Sequence, residues 1–234
     1  MEVRLSKRMQ AVADMVQEKR VVDIGCDHAF VSIYLAQKPD IERVIAMDVK
    51  TGPVDIAKAN IAAYMLADKI DVRMSDGFDK LSVGEADAAV IAGMGGYLMI
   101  DILEAGKEHL ENGINLVLQP QSDIPEVRRY LDSVGYIIED EDMLIEDGKY
   151  YTIMRAVSRD EKTVEYTADD YNYGPILLKK MHTVLREYLV FSNEKNLTIV
   201  EKLRASGSDK SKDRVKQLLD EVDYSKNILD KYFQ

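Results

Sequence analysis

The sequence predicts a doubly wound α/β domain followed by an antiparallel helical hairpin. Short apolar runs rich in β-branched residues alternate with stretches of helical periodicity as far as residue 158. Glycines or acidic residues follow several of these runs, and such folds bind ligands at the carboxyl ends of their parallel strands. Two runs of helical spacing follow. We therefore expect a ligand-binding domain over residues 1–158, a linker over 159–175 and the hairpin over 176–234.

Length and composition leave room for one full domain and a small appendage. The chain has 234 residues, a net charge of −11 and one cysteine, Cys26, so neither a disulfide framework nor a cysteine-based zinc site is expected. His109 and His182 are scattered and indicate no metal site. No apolar run reaches the length of a membrane span, and the charged N-terminal stretch contains no signal-peptide core. We expect a cytoplasmic monomer that uses neither membrane nor metal.

The individual elements follow from the same alternation. A helix over 5–16, with Ser6 as a candidate N-cap, precedes a buried first strand that begins at Val21. Further strands are predicted over 43–48, 70–74, 86–92 and 114–118, and helices over 30–36, over 56–66, from residue 97 and over 127–134. Segments 135–138 and 150–157 are predicted to form a closing β-pair, joined across an acidic block by a turn at 146–149.

The loop after the first strand has the sequence Asp23-Ile24-Gly25-Cys26-Asp27-His28-Ala29. Gly25 allows the backbone to approach a ligand closely. The loop lacks the G-x-G-x-x-G pattern of dinucleotide sites, because Asp27 stands at the second glycine, where its carboxylate would repel a pyrophosphate. Acidic residues suit a cofactor with a positive centre, and S-adenosylmethionine has a sulfonium and an ammonium group.

Three later strand ends extend this candidate cofactor site. Asp48 lies about 20 residues beyond Gly25, where a carboxylate can bind both ribose hydroxyls of a nucleoside. Asp76 could meet the adenine amino group, although the turn around it has a purely structural alternative. Gly93-Met94-Gly95-Gly96 indicates backbone approaching a ligand, the alternative being a tight turn. The predicted cofactor-binding set is Asp23, Gly25, Cys26, His28, Asp48, Val49, Ser75, Asp76, Gly77, Gly93, Met94 and Gly95.

The charge is distributed unevenly along this acidic chain. An acidic block covers Glu139 to Asp142 and includes Glu146 and Asp147, whereas basic residues outnumber acidic ones over 174–216. Arg4, Lys7 and Arg8 form a second basic cluster on the predicted exposed side of the first helix. Solvated helix faces are the alternative for each cluster, but two basic segments on an acidic protein are compatible with an RNA footprint.

Two helical stretches near the end of the sequence have apolar residues at the alternating three- and four-residue spacing of a coiled coil. The predicted seam consists of Leu178, Met181, Leu185, Tyr188, Ser192, Lys195 and Ile199 in the first helix and Val215, Leu218, Val222, Ser225, Leu229 and Tyr232 in the second. Ser206-Gly207-Ser208 is predicted to form the turn between them. Ser192, Lys195 and Ser225 interrupt the apolar seam, which predicts modest pairing or docking elsewhere.

Four runs in this order resemble the TrmK family of bacterial tRNA methyltransferases: the Asp23–Ala29 run, Gly93-Met94-Gly95-Gly96, Gln119-Pro120-Gln121 and Tyr173-Gly174-Pro175. The resemblance covers nearly the whole chain; the family would be expected to have a small residue such as serine at Cys26. It implies a Rossmann-like class I methyltransferase fold, S-adenosylmethionine as methyl donor, N1 of adenine 22 in tRNA as target, and a C-terminal appendage that helps to hold tRNA.

This chemistry needs positioning more than proton transfer, because N1 of adenine carries an in-plane lone pair and no proton. The base must be displaced from its stack, and positive charge then develops on the ring. We expect Asp27 to stabilise that charge as the catalytic residue; the alternative is that Asp27 caps the next helix. The glycines at 93–96 replace the Asn-Pro-Pro-Tyr-like run of amino-group methyltransferases, which fits a ring-nitrogen target.

Tyr97 could stack on the displaced base or belong to a helix core, and Gln119 and Gln121 could bind near the methyl donor or act as loop scaffold. The predicted substrate-binding set is Arg4, Lys7, Arg8, Gly96, Tyr97, Gln119, Gln121, Lys179, Lys180 and Arg186. Two other interpretations remain open: a small-molecule methyltransferase whose hairpin is a lid or dimer contact, and a non-catalytic adaptor. The missing glycines disfavour a nicotinamide dehydrogenase.

Overall fold

A seven-stranded sheet forms the centre of the first part of the chain in the computed structural model, which describes residues 2–159, 165–205 and 212–234. The strand order is β3-β2-β1-β4-β5-β7-β6. The first five strands are parallel, whereas β7 runs antiparallel to both β5 and β6. The strands are β1 Arg20–Ile24, β2 Arg43–Asp48, β3 Ile70–Met74, β4 Ala88–Met94, β5 Asn115–Pro120, β6 Tyr136–Glu146 and β7 Lys149–Ser158.

Helices follow the parallel strands, and the chain divides into two compact units, residues 1–167 and 168–234. The first unit contains α1 Lys7–Asp14, α2 Phe30–Gln37, α3 Thr51–Ala63, α4 Gly96–Ala105, α5 Lys107–Glu111 and α6 Ile124–Ser133. The second contains α7 Ala168–Tyr173, α8 Pro175–Lys179, α9 Thr183–Ala205 and α10 Lys212–Tyr232. Residues 168–173, which the sequence analysis assigned to the linker, form α7; residues 160–164 of that linker lie outside the described residues.

The predicted α/β alternation is confirmed, and its strands are apolar because both faces of the sheet are covered. Val21, Val22 and Ile24 of β1 are buried. The predicted N-cap of α1 is also confirmed, since the Ser6 hydroxyl accepts a hydrogen bond from the Met9 amide. Helix α3 begins at Thr51 rather than 56 and ends at Ala63 rather than 66. Pro53 lies in its first turn, where a missing backbone N–H leaves no hydrogen bond unmade.

The acidic block was predicted to join the last two strands, but it forms part of β6. Glu141 is buried there and accepts a hydrogen bond at 2.9 Å from Nε of Arg128, on α6, whose Nη2 forms an ion pair with the same oxygen at 2.9 Å. Glu139 accepts a hydrogen bond at 2.9 Å from Arg155 on β7. Carboxylates in a buried strand require partners of opposite charge, and the charge pattern along the sequence does not reveal where those partners lie.

The helical hairpin differs from its prediction in two respects. The first run is broken, because α8 ends at Lys179 and α9 begins at Thr183, with Met181 in the left-handed region at φ 48°. From residue 188 onward, each buried position of α9 falls one residue later in the sequence than the predicted seam. The buried residues of α9 are Leu185, Leu189, Asn193 and Val200, and they face Leu218, Val222, Ser225 and Ile228 of α10. The predicted turn at 206–208 lies outside the described residues.

Candidate active site

The predicted cofactor residues converge at the carboxyl ends of the parallel strands, where the strand order reverses between β1 and β4. Gly25, Asp48, Ser75 and Gly93 each lie at or directly after such an end. Loops that follow neighbouring parallel strands meet at one edge of a sheet, and the reversal opens a crevice between them. The topology therefore brings together residues that are far apart in the sequence.

The loop after β1 folds tightly over the strand end. Gly25, Asp27 and Ala29 have φ angles of 75°, 50° and 60°, and the Gly25 and Cys26 amides both donate to the Met47 carbonyl, at 2.8 and 2.9 Å. A Cβ atom on residue 25 would lie 2.2 Å from Cε of Met94. Gly25 therefore permits close packing of this loop against Met94, in addition to any approach to a ligand.

Asp48 links two of the loops through its carboxylate. One oxygen accepts a hydrogen bond from the Asp27 amide at 3.2 Å, and the other accepts one from the Lys50 amide at 3.0 Å. Carboxylate oxygens can accept more than one hydrogen bond each, so both retain capacity for the two hydroxyls of a ribose. The exposed side chain of Val49 follows directly and provides an apolar surface beside this acidic group.

Asp23 lies beneath the loop, where it has a partner within the fold. Its carboxylate is buried and accepts a hydrogen bond at 2.5 Å from the Ser32 hydroxyl on α2. Burial raises the pKa of Asp23 to about 6, although the hydrogen bond from Ser32 acts in the opposite direction. Burial also raises the pKa of the Cys26 thiol, so it is neutral at physiological pH.

The turn after β3 is closed by Ser75. Its buried hydroxyl donates to the Gly77 carbonyl and accepts from the Lys80 amide, both at 3.1 Å. Ser75 therefore shapes the turn, whose second residue, Asp76, is exposed. This arrangement leaves the Asp76 carboxylate accessible at the same edge of the sheet as Asp48.

The glycines after β4 serve different purposes. Gly95 is the N-cap residue of α4, and a Cβ atom on Gly96 would lie 2.5 Å from the Ser122 carbonyl oxygen. Gly96 thus allows the loops after β4 and β5 to touch. Gly93, at φ 79°, donates its amide hydrogen to Oε1 of Gln119 at 3.2 Å.

Gln119 and Arg8 form a buried scaffold under these glycines. Gln119 is fully buried, and its Oε1 also accepts from Nη1 of Arg8 at 2.5 Å, while its Nε2 donates to the Pro120 carbonyl at 3.0 Å. The Arg8 side chain is only 17% exposed and lies over the Tyr151 ring, with its Cζ atom 5.0 Å from the ring centroid.

The prediction that Arg8 lies on the exposed side of α1 is therefore wrong. Arg8 is three residues after Leu5 and four before Val12, so it shares their stripe of the helix. This spacing could have revealed its position from the sequence. The neighbouring basic residues Arg4 and Lys7 are exposed.

Asp27 presents its carboxylate at the surface of the site. The side chain is 73% exposed and lies 3.7 Å from Nε2 of His28. The N-cap residue of α2 is Ala29, and no side chain caps that helix, so Asp27 does not have the capping role that was its structural alternative. Tyr97 is also exposed rather than part of a helix core.

One contact in the site was not anticipated from the sequence. The Asn60 side chain on α3 donates a hydrogen bond at 2.9 Å to the His28 carbonyl and so stabilises the loop after β1. No pattern in the sequence indicated it, because an asparagine within a helix is usually exposed to solvent. Gln121 is exposed beside Gly93, and Lys179, Lys180 and Arg186 are exposed in the second unit.

Over residues 2–159, 165–205 and 212–234, no cluster of three or more histidine, cysteine or acidic side chains could hold a metal ion. None of the helices in the same ranges is long and apolar enough to cross a membrane.

The sheet order, its antiparallel final strand and the acidic residue that ends β2 define a class I methyltransferase, a fold whose cofactor is S-adenosylmethionine. The chain belongs to the TrmK family, since the family model described as tRNA (adenine(22)-N(1))-methyltransferase matches residues 21–227. It is 34% identical over 235 residues, 98% of each chain, to the tRNA (adenine(22)-N(1))-methyltransferase of Bacillus subtilis strain 168.

Solved structures agree with this assignment. The crystal structure of the B. subtilis M1A22 tRNA methyltransferase TrmK superposes with a TM-score of 0.83 at 32% identity and covers 97% of this chain and 100% of that one. Streptococcus pneumoniae Sp1610, solved in complex with S-adenosyl-L-methionine, superposes with a TM-score of 0.81 at 31% identity and the same two coverages.

Proposed function

We propose that this chain transfers a methyl group from S-adenosylmethionine to N1 of adenine 22 in tRNA. The observation that carries the proposal is the set of loops around Gly25, Asp48 and Gly93, assembled at one sheet edge in a chain of the TrmK family. The exposed Asp27 carboxylate at this edge supplies the group that the reaction needs beside the base.

The residues at this edge fit the cofactor. The Asp48 carboxylate suits the ribose hydroxyls, Asp76 suits the adenine amino group, and the tight turn at Gly25 has no side chain to obstruct the ligand. When bound, S-adenosylmethionine supplies an electrophilic methyl group, which bonds to N1 of the adenine while the electron pair of the broken carbon–sulfur bond stays on sulfur. N1 loses no proton in this transfer, so the protein needs no general base.

The chain's own contribution is to position the base and to stabilise charge. Methylation makes the adenine ring positive, and the Asp27 carboxylate stabilises that charge and accepts a hydrogen bond from the exocyclic amine. The exposed ring of Tyr97 provides a surface on which a displaced base can stack. Gln119, held by Arg8, fixes the Gly93 backbone in the same loop.

Exposed basic residues provide the grip on RNA. Arg4 and Lys7 in the first unit and Lys179, Lys180 and Arg186 in the second are exposed and would release counterions when they bind phosphates. Arg8 is excluded from this set, because its guanidinium is committed to Gln119 and packs over Tyr151. Gln119 likewise acts as loop scaffold rather than as an RNA contact.

Labelled S-adenosylmethionine, purified protein and bulk bacterial tRNA provide the test. We expect label in 1-methyladenosine, mapped to position 22 of the tRNA, and none in a control transcript that carries guanosine at that position. Incorporation at another nucleoside would contradict the proposed target. Cofactor binding without transfer to any tRNA would instead favour a small-molecule substrate.

A further inference from the structure

A cleft of about 290 Å³, lined mainly by polar and aromatic residues, lies within the second unit. It is formed by the end of α7 and the facing sides of α9 and α10. Its walls include Asn172, Tyr173, Ser192, Asn193, Tyr224 and Ser225. A hairpin that served only to pair two helices would fill this space with apolar side chains, so the composition of the cleft calls for another explanation.

Two polar side chains that line this cleft are buried, and one of them has no hydrogen-bond partner among the described residues. Ser225 is only 5% exposed, and its hydroxyl oxygen has no hydrogen-bond partner among the described residues. Asn193, 7% exposed, faces it from α9. Polar residues in a helical seam can serve to fix the pairing register, but then they bond to each other, and no hydrogen bond joins Asn193 to Ser225 in the described structure. Both residues line the cleft.

Hydrogen bonds and ring packing fix two of the aromatic side chains that line the cleft. The Tyr224 hydroxyl donates to Asp169 at 2.7 Å and accepts from the Asn172 side chain at 3.2 Å. The Tyr224 ring lies 5.8 Å from that of Tyr173, with an angle of 38° between the two planes. Fixing these rings before binding lowers the entropy lost when a ligand packs against them.

The charged groups around the cleft are paired. Glu221 accepts a hydrogen bond from Asn196 at 3.2 Å and lies 3.6 Å from Nη1 of Arg214. The Asp169 carboxylate is bound by Lys231 at 2.7 Å and by the Tyr232 hydroxyl at 3.2 Å. The groups that remain are amides, hydroxyls and aromatic faces, which suit a planar, neutral ligand with hydrogen-bonding edges.

We propose that this cleft binds one unstacked nucleobase of the tRNA substrate, apart from the methylated adenine. Sequence-specific RNA recognition uses aromatic stacking together with hydrogen bonds to base edges, which are the two features that the cleft offers. Its volume of about 290 Å³ lies just below the range of about 300–1,000 Å³ typical of small-ligand sites and suits a single base. The proposal rests on the proposed function, because it takes tRNA as the partner.

Filling the cleft with an apolar side chain tests this proposal. Ser225→Leu occupies the cleft and removes a hydroxyl that has no hydrogen-bond partner. Because no hydrogen bond is lost, we expect the melting temperature of the protein not to fall. We expect the Kd and KM for a full-length tRNA transcript to rise about tenfold or more, with kcat at saturating tRNA and the Kd for S-adenosylmethionine unchanged. Thr198→Leu, on the exposed side of α9, is the matched control and should leave all four values unchanged.

Ultraviolet cross-linking of the unsubstituted protein to the same transcript provides a measurement that does not depend on the variant's folding. Mass spectrometry should locate a nucleotide adduct on Tyr173, Tyr188 or Tyr224, which line the cleft. Adducts elsewhere with none on these tyrosines would overturn the proposal, as would a folded Ser225→Leu protein with unchanged tRNA affinity.

The same measurements separate the cleft from the proposed function. If the protein methylates adenine 22 but Ser225→Leu does not change its affinity for tRNA, the proposed function holds and the proposed role of the cleft is refuted. A cleft adduct and weakened tRNA binding, in a protein that methylates no tRNA, would establish the cleft while refuting the methyl transfer.

Discussion

The loops at the sheet edge and the seam of the helical hairpin both bury polar side chains, but they treat them differently. Gln119, Asp23 and Glu141 in the first unit each have a hydrogen-bond partner within the fold. Ser225 in the second unit has none among the described residues. A buried polar group without a partner costs about 1–3 kcal/mol. The partners of Gln119 and Asp23 therefore stabilise the loops of the candidate site, whereas the Ser225 hydroxyl, like Nε of Arg8 in the first unit, is buried without a hydrogen bond to offset that cost.

The largest effect should come from breaking the pair of Arg128 and Glu141, because both side chains are almost fully buried. Arg128→Met leaves Glu141 charged and buried without its main partner, and we expect the free energy of unfolding to fall by about 3–5 kcal/mol. Urea denaturation measures this. The double variant Arg128→Met with Glu141→Leu should recover most of the loss; if it does not, charge pairing is not the reason for the loss.

A change at Asp27 tests the one exposed carboxylate of the first loop. Asparagine tolerates the left-handed conformation that this position requires at φ 50°, so Asp27→Asn removes the charge without straining the backbone. We expect kcat for tRNA methylation to fall by about 100-fold or more, with the Kd for S-adenosylmethionine within about twofold. Normal turnover by this variant would remove Asp27 from the mechanism.

A substitution at Arg8 distinguishes a scaffold role for this side chain from a role in binding RNA. Arg8→Met deprives Gln119 of one of its donors, and we expect a loss of about 1–2 kcal/mol in the free energy of unfolding. The salt dependence of tRNA binding should not change. Lys7→Met, an exposed neighbour on α1, is the matched control: it should leave stability intact and reduce the salt slope by about 1 if Lys7 contacts a phosphate. A reduced slope for Arg8→Met would return Arg8 to the RNA-binding set.

Asp23 gives the first unit a pH dependence. The pKa of Asp23 is about 6 in the folded protein and lies above its ordinary value of 3.8. The folded state therefore holds this proton more tightly than the unfolded state does. The resulting stabilisation is complete below the unfolded pKa and is lost as the pH rises through 6. Between about pH 5.5 and 7.5 the free energy of unfolding should fall by about 1 kcal/mol relative to Asp23→Asn. Urea denaturation of both proteins at the two pH values measures it, and a difference that stays constant would contradict burial as the cause.

The smallest effect is expected at Ser225, and it should be neutral or favourable. Ser225→Ala deletes a buried hydroxyl that has no partner, so we expect the free energy of unfolding to stay the same or to rise by up to about 1 kcal/mol. Ser32→Ala, which removes the partner of Asp23, is the contrasting control and should destabilise the protein. A large loss of stability from Ser225→Ala would mean that its hydroxyl has a partner after all.

The sequence predicted the candidate site because its parts are local. The loop at Gly25, the acidic Asp48 and the glycines at 93–96 each follow a strand that its apolar residues identify, and parallel topology then places all of them at one edge. Arg8 shows where reasoning from charge alone ends. Its charge suggested an exposed RNA contact, and only the fold revealed that Gln119, Glu146 and Tyr151 surround it.

By itself, the sequence predicted the α/β class, the succession of strands and helices in the first domain, the candidate cofactor loops and the resemblance to the TrmK family. These depend on periodicity and short motifs, which operate over a few residues. The tertiary structure alone decided that the acidic block is a strand, that α9 begins after a break at Met181, and that Asn193 rather than Lys195 lies in the seam. Each of these outcomes depends on which distant side chain supplies a partner or a packing surface, and no local pattern records that choice.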